Sequence, residues 1–98
     1  MSAYLIADIT VHNPEMYQEY VSKAPPFIEK HGGVYRVRGG TVEAQEGMWS
    51  PQRLVVVEFP TREKAEAFLA DPGYQSAAAL RHQAATTNMI LADGWPPD

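Results

Sequence analysis

Arg53-Leu54-Val55-Val56-Val57-Glu58-Phe59, closed by Pro60 and Thr61, is the stretch on which the fold turns. Three successive valines in a nearly unbroken apolar run have the character of an inner strand, buried on both faces. Pro60 cannot donate to a β-ladder and ends the run, and Thr61 offers a hydroxyl to cap the helix that follows. In that helix Glu63 occupies the first turn, and Ala65, Phe68 and Leu69 share one face. Asp71-Pro72-Gly73 closes it. Asp71 and Pro72 also suit the start of a further helix reaching about Ala85, with Tyr74, Ala77, Ala78 and Arg81 on one stripe. Residues 87–93 read as a last strand. Trp95, in the short tail after it, is expected to pack against a partner or neighbour.

Upstream of the same stretch, residues 45–52 read as a loop around Gly47, Ser50 and Pro51. Its Met48 and Trp49 are bulky apolar side chains expected to lie against something. Val34-Tyr35-Arg36-Val37-Arg38 is a strand whose period of two sets Arg36 and Arg38 on one side. Gly39-Gly40 breaks or bulges it, and Thr41-Val42-Glu43 extends it along a sheet edge. Before it, Asn13, Pro14 and Glu15 carry the signals of a helix start, and Tyr17, Tyr20, Val21, Ala24 and Ile28 follow one helical face. Pro25-Pro26 must restart that helix, giving two pieces that end at Lys30, His31 and Gly32-Gly33. The first strand runs from Tyr4 to Val11, with Leu5, Ala7 and Ile9 on one face and Tyr4, Ile6, Asp8 and Thr10 on the other.

The order strand, helix, strand, strand, helix, strand is a split βαβ arrangement of the α+β class. Right-handed crossovers place the helices on one face of a four-stranded antiparallel sheet with spatial order four, one, three, two. The other face is left open, and a second copy covering it is the simplest way to bury it.

The chain has 98 residues and a formal net charge of −4, and it contains no cysteine. That length predicts one domain over residues 1–98 with a thin core, for which self-association is proportionately valuable. The acidic balance offers no footprint for phosphate backbones and repels an anionic membrane surface, so neither nucleic acid nor membrane is an expected partner. Without cysteine there is no disulfide, thiolate nucleophile or Cys-ligated zinc. Residues 1–7 lack the features of a secretory leader, and residues 54–57, the longest aliphatic run, are too few to cross a bilayer. A soluble cytoplasmic protein is the expectation.

A set of small pieces at ordered spacing resembles a known family. They are Asn13-Pro14 with Tyr17 and Tyr20, His31-Gly32-Gly33, Arg36 with Arg38-Gly39-Gly40, and Glu46-Gly47 with Trp49 and Pro51. Arg53 to Pro60, Ala65 with Phe68, Tyr74-Gln75, Arg81 and Asp93-Gly94 complete the set. Together they resemble domain-of-unknown-function family 1330, of the dimeric α/β barrel superfamily. The resemblance implies a ferredoxin-like βαββαβ protomer whose open sheet pairs with that of a second copy. It implies no particular activity; superfamily relatives include cofactor-independent monooxygenases, haem-degrading enzymes, muconolactone isomerase and ligand-sensing domains.

Two constellations are candidates for chemistry. Asp8, Glu58 and the pair Arg36 and Arg38, if all on the open face, form a polar cluster inside the dimer with Glu58 central. With His12 at the adjoining turn, Asp8, Glu58 and Arg38 are the catalytic candidates, for acid–base work through a shifted carboxyl. The competing reading is an ion-pair network that sets dimer register. Arg53, Tyr74, Arg81 and Trp49, with Arg36, are the ligand-binding candidates, lining a mouth for a small anionic or aromatic metabolite. Tyr17 and Tyr20 read as core-edge packing aromatics whose hydroxyls reach polar partners, and not as catalytic phenols. His12, His31 and His82 have no metal-ligand spacing, no serine has a nucleophile-elbow context, and no glycine pair opens a nucleotide loop, so neither metal nor cofactor is expected. The sequence thus predicts a homodimer that is structural or binds a small metabolite, or alternatively a cofactor-independent enzyme of monooxygenase or isomerase type.

Overall fold

The computed structural model describes residues 1–97. The elements are β1 (Ala3–Val11), α1 (Pro14–Lys23), α2 (Pro25–Lys30), β2 (Val34–Arg38), β3 (Arg53–Phe59), α3 (Arg62–Ala70), α4 (Pro72–Ala84) and β4 (Ala85–Asp93). The strands form one antiparallel sheet in the order β2-β3-β1-β4, as the element order predicts. Ala3, Leu5, Ala7 and Ile9 of β1 are buried against the helices, and the alternate residues Tyr4, Ile6 and Asp8 are half-buried on the outer face.

The capping residues act where the sequence places them. Asn13 Oδ1 accepts from the Met16 N–H at 3.2 Å, Thr61 Oγ1 from that of Lys64 at 3.1 Å, and Asp71 Oδ1 from that of Gly73 at 2.8 Å. Each satisfies a donor that the first helical turn leaves without an intrahelical partner. Ala24 keeps helical dihedrals between α1 and α2, so Pro25 restarts the helix without an intervening loop. Gly32, at φ +80°, supplies the left-handed turn into β2.

Several sequence expectations need correction. Thr41-Val42-Glu43 forms no strand, because Gly39 turns at φ +72° and ends the ladder. β4 begins at Ala85, two residues before the expected start. Within the single chain, β3 buries Val57 and Phe59 toward the helices and leaves Leu54 and Val56 half-buried on the outer face, the face expected to meet a second copy. Met48 is fully exposed and Trp95 is 90% exposed in the single chain, which leaves both free to lie against a partner, as expected.

One irregularity matters most for the site. Tyr35 pairs with Val57 and Val37 with Val56, which leaves Arg36 as an extra, bulged residue. A bulge breaks the period of two. Arg36 therefore turns to the outer face, while Arg38, opposite Val55, stands on the helix side.

Lys30 and His31 do more than complement a helix end. Lys30 Nζ donates to Asp71 Oδ2 at 3.1 Å and His31 Nε2 donates to the same oxygen at 2.8 Å, which clamps the end of α2 to the start of α4. The His31 bond first, then that of Lys30, holds the Asp71 carboxyl well below its ordinary value of 3.8. The unfolded chain therefore binds more protons than the folded one in the interval below 3.8. The clamp's contribution is complete above that interval and drains away as pH falls through it. Melting temperatures of wild type and Asp71→Asn should accordingly differ by several degrees at neutral pH and converge in acid, the wild-type curve falling more steeply below about pH 5. Parallel curves would show that the carboxylate charge contributes nothing.

Candidate functional site

Between the helices and the inner sheet face lies a cavity of about 50 Å³. β1 and β3 supply its apolar floor through Leu5, Ile9, Val55 and Val57, and Ala24, Ile28 and Phe68 close it from the helix layer. Its polar side chains are four tyrosines, Tyr17, Tyr20, Tyr35 and Tyr74, and three arginines, Arg38, Arg53 and Arg81. Among the described residues no acidic side chain lines it.

Each arginine stands over a tyrosine ring. Arg38 lies 4.4 Å from the Tyr35 centroid, Arg53 5.4 Å from that of Tyr17 and Arg81 5.4 Å from that of Tyr20, all within the range of cation–π attraction. Arg53 Nε also donates to the Tyr17 hydroxyl at 2.9 Å, and the Tyr20 and Tyr74 hydroxyls hydrogen-bond at 3.0 Å. Local sequence sets this up. Tyr17 and Tyr20 lie three residues apart on α1, Tyr74 and Arg81 lie two turns apart on α4, and both stripes turn inward. Gly39 packs so closely on the Arg53 guanidinium that a Cβ there would collide with Nη1. Exposure falls from Arg38, exposed, through Arg53, half-buried, to Arg81 at 5%.

Burial, with Tyr74 beside it, drives the Tyr20 phenol far above its ordinary value, so it acts as a hydrogen-bonding group and not as a base. Burial likewise raises Tyr35 against the opposing pull of Arg38. Burial works against the charge on Arg81, and the oxygens of Tyr74 and Tyr20 outweigh it, so the guanidinium stays protonated. Its Nε is buried without a hydrogen-bond partner.

The structure brings together Arg53, Tyr74 and Arg81 as the sequence suggests, and adds Arg38, Tyr17, Tyr20 and Tyr35. Tyr17 and Tyr20 are core-edge aromatics as the sequence suggests, and their hydroxyls find the expected polar partners in Arg53 and Tyr74. Arg36 and Trp49 do not line the cavity.

On the outer face the expected charged cluster does not assemble. Arg36 Nε donates to Glu58 Oε1 at 2.9 Å, and that bond, with a further one from Ser2, lowers the Glu58 carboxyl. Trp49 Nε1 donates to Asp8 Oδ2 at 2.7 Å. Glu58 stands opposite Tyr4 and Leu54 opposite Asp8, so the two carboxylates are four residues apart along the ladder, roughly 13 Å. Arg38 is on the other side of the sheet. His12 Nε2 hydrogen-bonds Thr86 Oγ1 at 2.7 Å in an exposed position outside the cavity. Asp8, His12, Glu58 and Arg38 are therefore no single site. The centre of the outer face is an apolar row, Val37, Val56, Ile6 and Ile90, in register across all four strands. Among the described residues no three His, Asp or Glu side chains stand close enough to hold a metal ion, and no helix is long and apolar enough to cross a membrane.

Comparison with known proteins agrees with this architecture. A model of the family described as "Domain of unknown function (DUF1330)" matches residues 2–95. No curated protein matches the chain in sequence. Among solved structures, a protein of unknown function from Rhodopseudomonas palustris superposes with a TM-score of 0.79 at 19% identity, covering 98% of this chain and 84% of that one. A variant of SnoaB, a cofactor-independent oxygenase from Streptomyces nogalater, gives 0.71 at 16% identity over 98% and 95% of the two chains. A dimeric ferredoxin-like protein of unknown function from Jannaschia sp. CCS1 gives 0.70 at 10% identity over 96% and 100%. At these identities the likeness is one of fold.

Proposed function

The chain belongs to the DUF1330 family, and from that premise we propose that it is a homodimer, joined through its outer sheet faces, that binds a small metabolite in the cavity between helices and sheet. The observation that carries the binding reading is the cavity itself: mostly apolar walls with a few polar side chains converging from α1, α4, β2 and β3. This is the usual make-up of a small-molecule site. The apolar row on the outer face supports the dimer, and the dimeric description of the Jannaschia neighbour agrees with it. Asp8, Glu58 and Trp49 serve that interface and not the cavity. The likeness to SnoaB, at 16% identity, is one of fold and carries no catalytic residue over to this chain.

Thermal melting against small organic acids, amides and alcohols tests this reading. A ligand at about a hundred times its Kd stabilises by about 2.7 kcal/mol, which raises the melting temperature of a domain this size by roughly 10–20 °C. Ala7→Leu, which places a larger side chain at the 4%-exposed cavity wall, should abolish the response. A panel without any shift, or shifts unchanged in Ala7→Leu, would refute the cavity as the binding site.

A further inference from the structure

We infer that the cavity takes a short-chain carboxylate, with the Arg81 guanidinium as its buried anchor; this rests on the binding reading above and narrows it to one ligand class. The polar lining consists of hydrogen-bond donors with hardly an acceptor to spare. Arg38, Arg53 and Arg81 have only donors, and no Asp, Glu, Asn, Gln, Ser or Thr lines the space. The phenols add to the surplus. Tyr17 accepts from Arg53, so its own proton is left to give, and in the Tyr20–Tyr74 pair the accepting hydroxyl keeps a proton free. Such a lining is complementary to a ligand rich in acceptors.

Arg81 is the sharpest sign. It is 5% exposed, its Nε has no partner, and no carboxylate among the described residues pairs with it. Burial without a counter-ion is costly to a cation. The chain has twelve acidic side chains, more than its eight basic ones, yet places none here. The Tyr74 and Tyr20 oxygens support the charge without supplying a counter-ion, and the unpartnered Nε–H is left to meet an incoming anion. The Nε–H and Nη–H edge of a guanidinium matches the two in-plane oxygens of a carboxylate. The graded burial from Arg38 to Arg81 draws an anion inward from the rim.

Size selects within the class. About 50 Å³ is well short of the roughly 150 Å³ cavity that admits a benzene ring, so the aromatic alternative is disfavoured. Leu5, Ile9, Val55 and Val57 offer contact to a short hydrocarbon tail.

Propionate and the neutral propionamide, with sulfate as a tetrahedral anion, are the probes, titrated into wild type, Arg81→Met and Arg81→Lys. Propionate should bind wild type at least ten times more tightly than propionamide. Arg81→Met should weaken propionate about 10- to 100-fold and propionamide by much less, since the amide loses only a neutral hydrogen bond. Arg81→Lys, which keeps the charge without the fork, should fall between them. Equal binding of acid and amide would overturn the carboxylate assignment while leaving the binding reading intact. Sulfate binding in place of propionate would overturn it in favour of a tetrahedral oxyanion. If neither probe nor any other small compound bound, both would fall. Should Arg81→Met not fold, the Nε–H resonance of Arg81 in wild type decides: propionate moves it and propionamide does not, and an unmoved signal with propionate bound would overturn the anchor.

Discussion

Val56→Glu is expected to convert the proposed dimer to a monomer at micromolar concentration while leaving the protomer folded. Val56 sits in the middle of the row Val37, Val56, Ile6 and Ile90 and is half-buried in the single chain, so a glutamate there can remain hydrated. In a two-fold dimer the same substitution occurs twice, because each copy presents the same patch. Two carboxylates would then be sealed in an apolar layer, and Arg36, an outer-face cation on the adjoining strand, already binds Glu58. Stranding a buried charge costs about 3–5 kcal/mol, so the two together raise the dimer dissociation constant by three or more orders of magnitude. Sedimentation velocity reads the change directly, and far-ultraviolet circular dichroism reports whether the protomer keeps its fold. A wild-type monomer, or a Val56→Glu dimer of unchanged affinity, would rule out this face as the interface.

The elements were legible because local rules and the global fold agree in this chain. Asn13, Thr61 and Asp71 are helix caps in sequence and in structure, and strand order followed from chain order with right-handed crossovers. The site was only half legible. Arg81 stood out as a guanidinium on the same stripe as Tyr74, Ala77 and Ala78, all of which are buried. Arg38 was misplaced for a physical reason: alternation assumes an unbroken ladder, and one extra residue at Arg36 inverts every assignment after it. The same slip suggested a charged outer face, whereas the register leaves that face apolar at its centre and moves a third arginine into the cavity. Position along a strand misled in a second way. Asp8 and Glu58 share a face, yet nothing in their spacing from other residues revealed that they lie at different levels of the β1–β3 ladder.

Phe59→Ala is expected to be the most damaging substitution in the core. Phe59 is completely buried, and its ring lies 5.3 Å from that of Phe68, which in turn lies 4.0 Å from Tyr74. Replacing a buried phenylalanine by alanine costs about 3–5 kcal/mol, through lost burial and the cavity left behind. Domains are commonly stable by only 5–15 kcal/mol in total, and each kcal/mol lost lowers the melting temperature by several degrees at this size, for a fall on the order of 20 °C. The effect should also reach the cavity. Phe68 forms part of its wall, and Phe68 and Tyr74 hold the Tyr20 hydroxyl in place through one continuous set of ring contacts. With Phe59 removed, Phe68 gains room to tilt away, so any ligand response of the variant should weaken at temperatures where it is still folded. Urea unfolding measures the first effect and ligand titration well below the melting point measures the second. A loss under about 1 kcal/mol would mean that neighbouring side chains refill the space, and full ligand affinity in a destabilised variant would mean that the cavity wall does not depend on the aromatic stack beneath it.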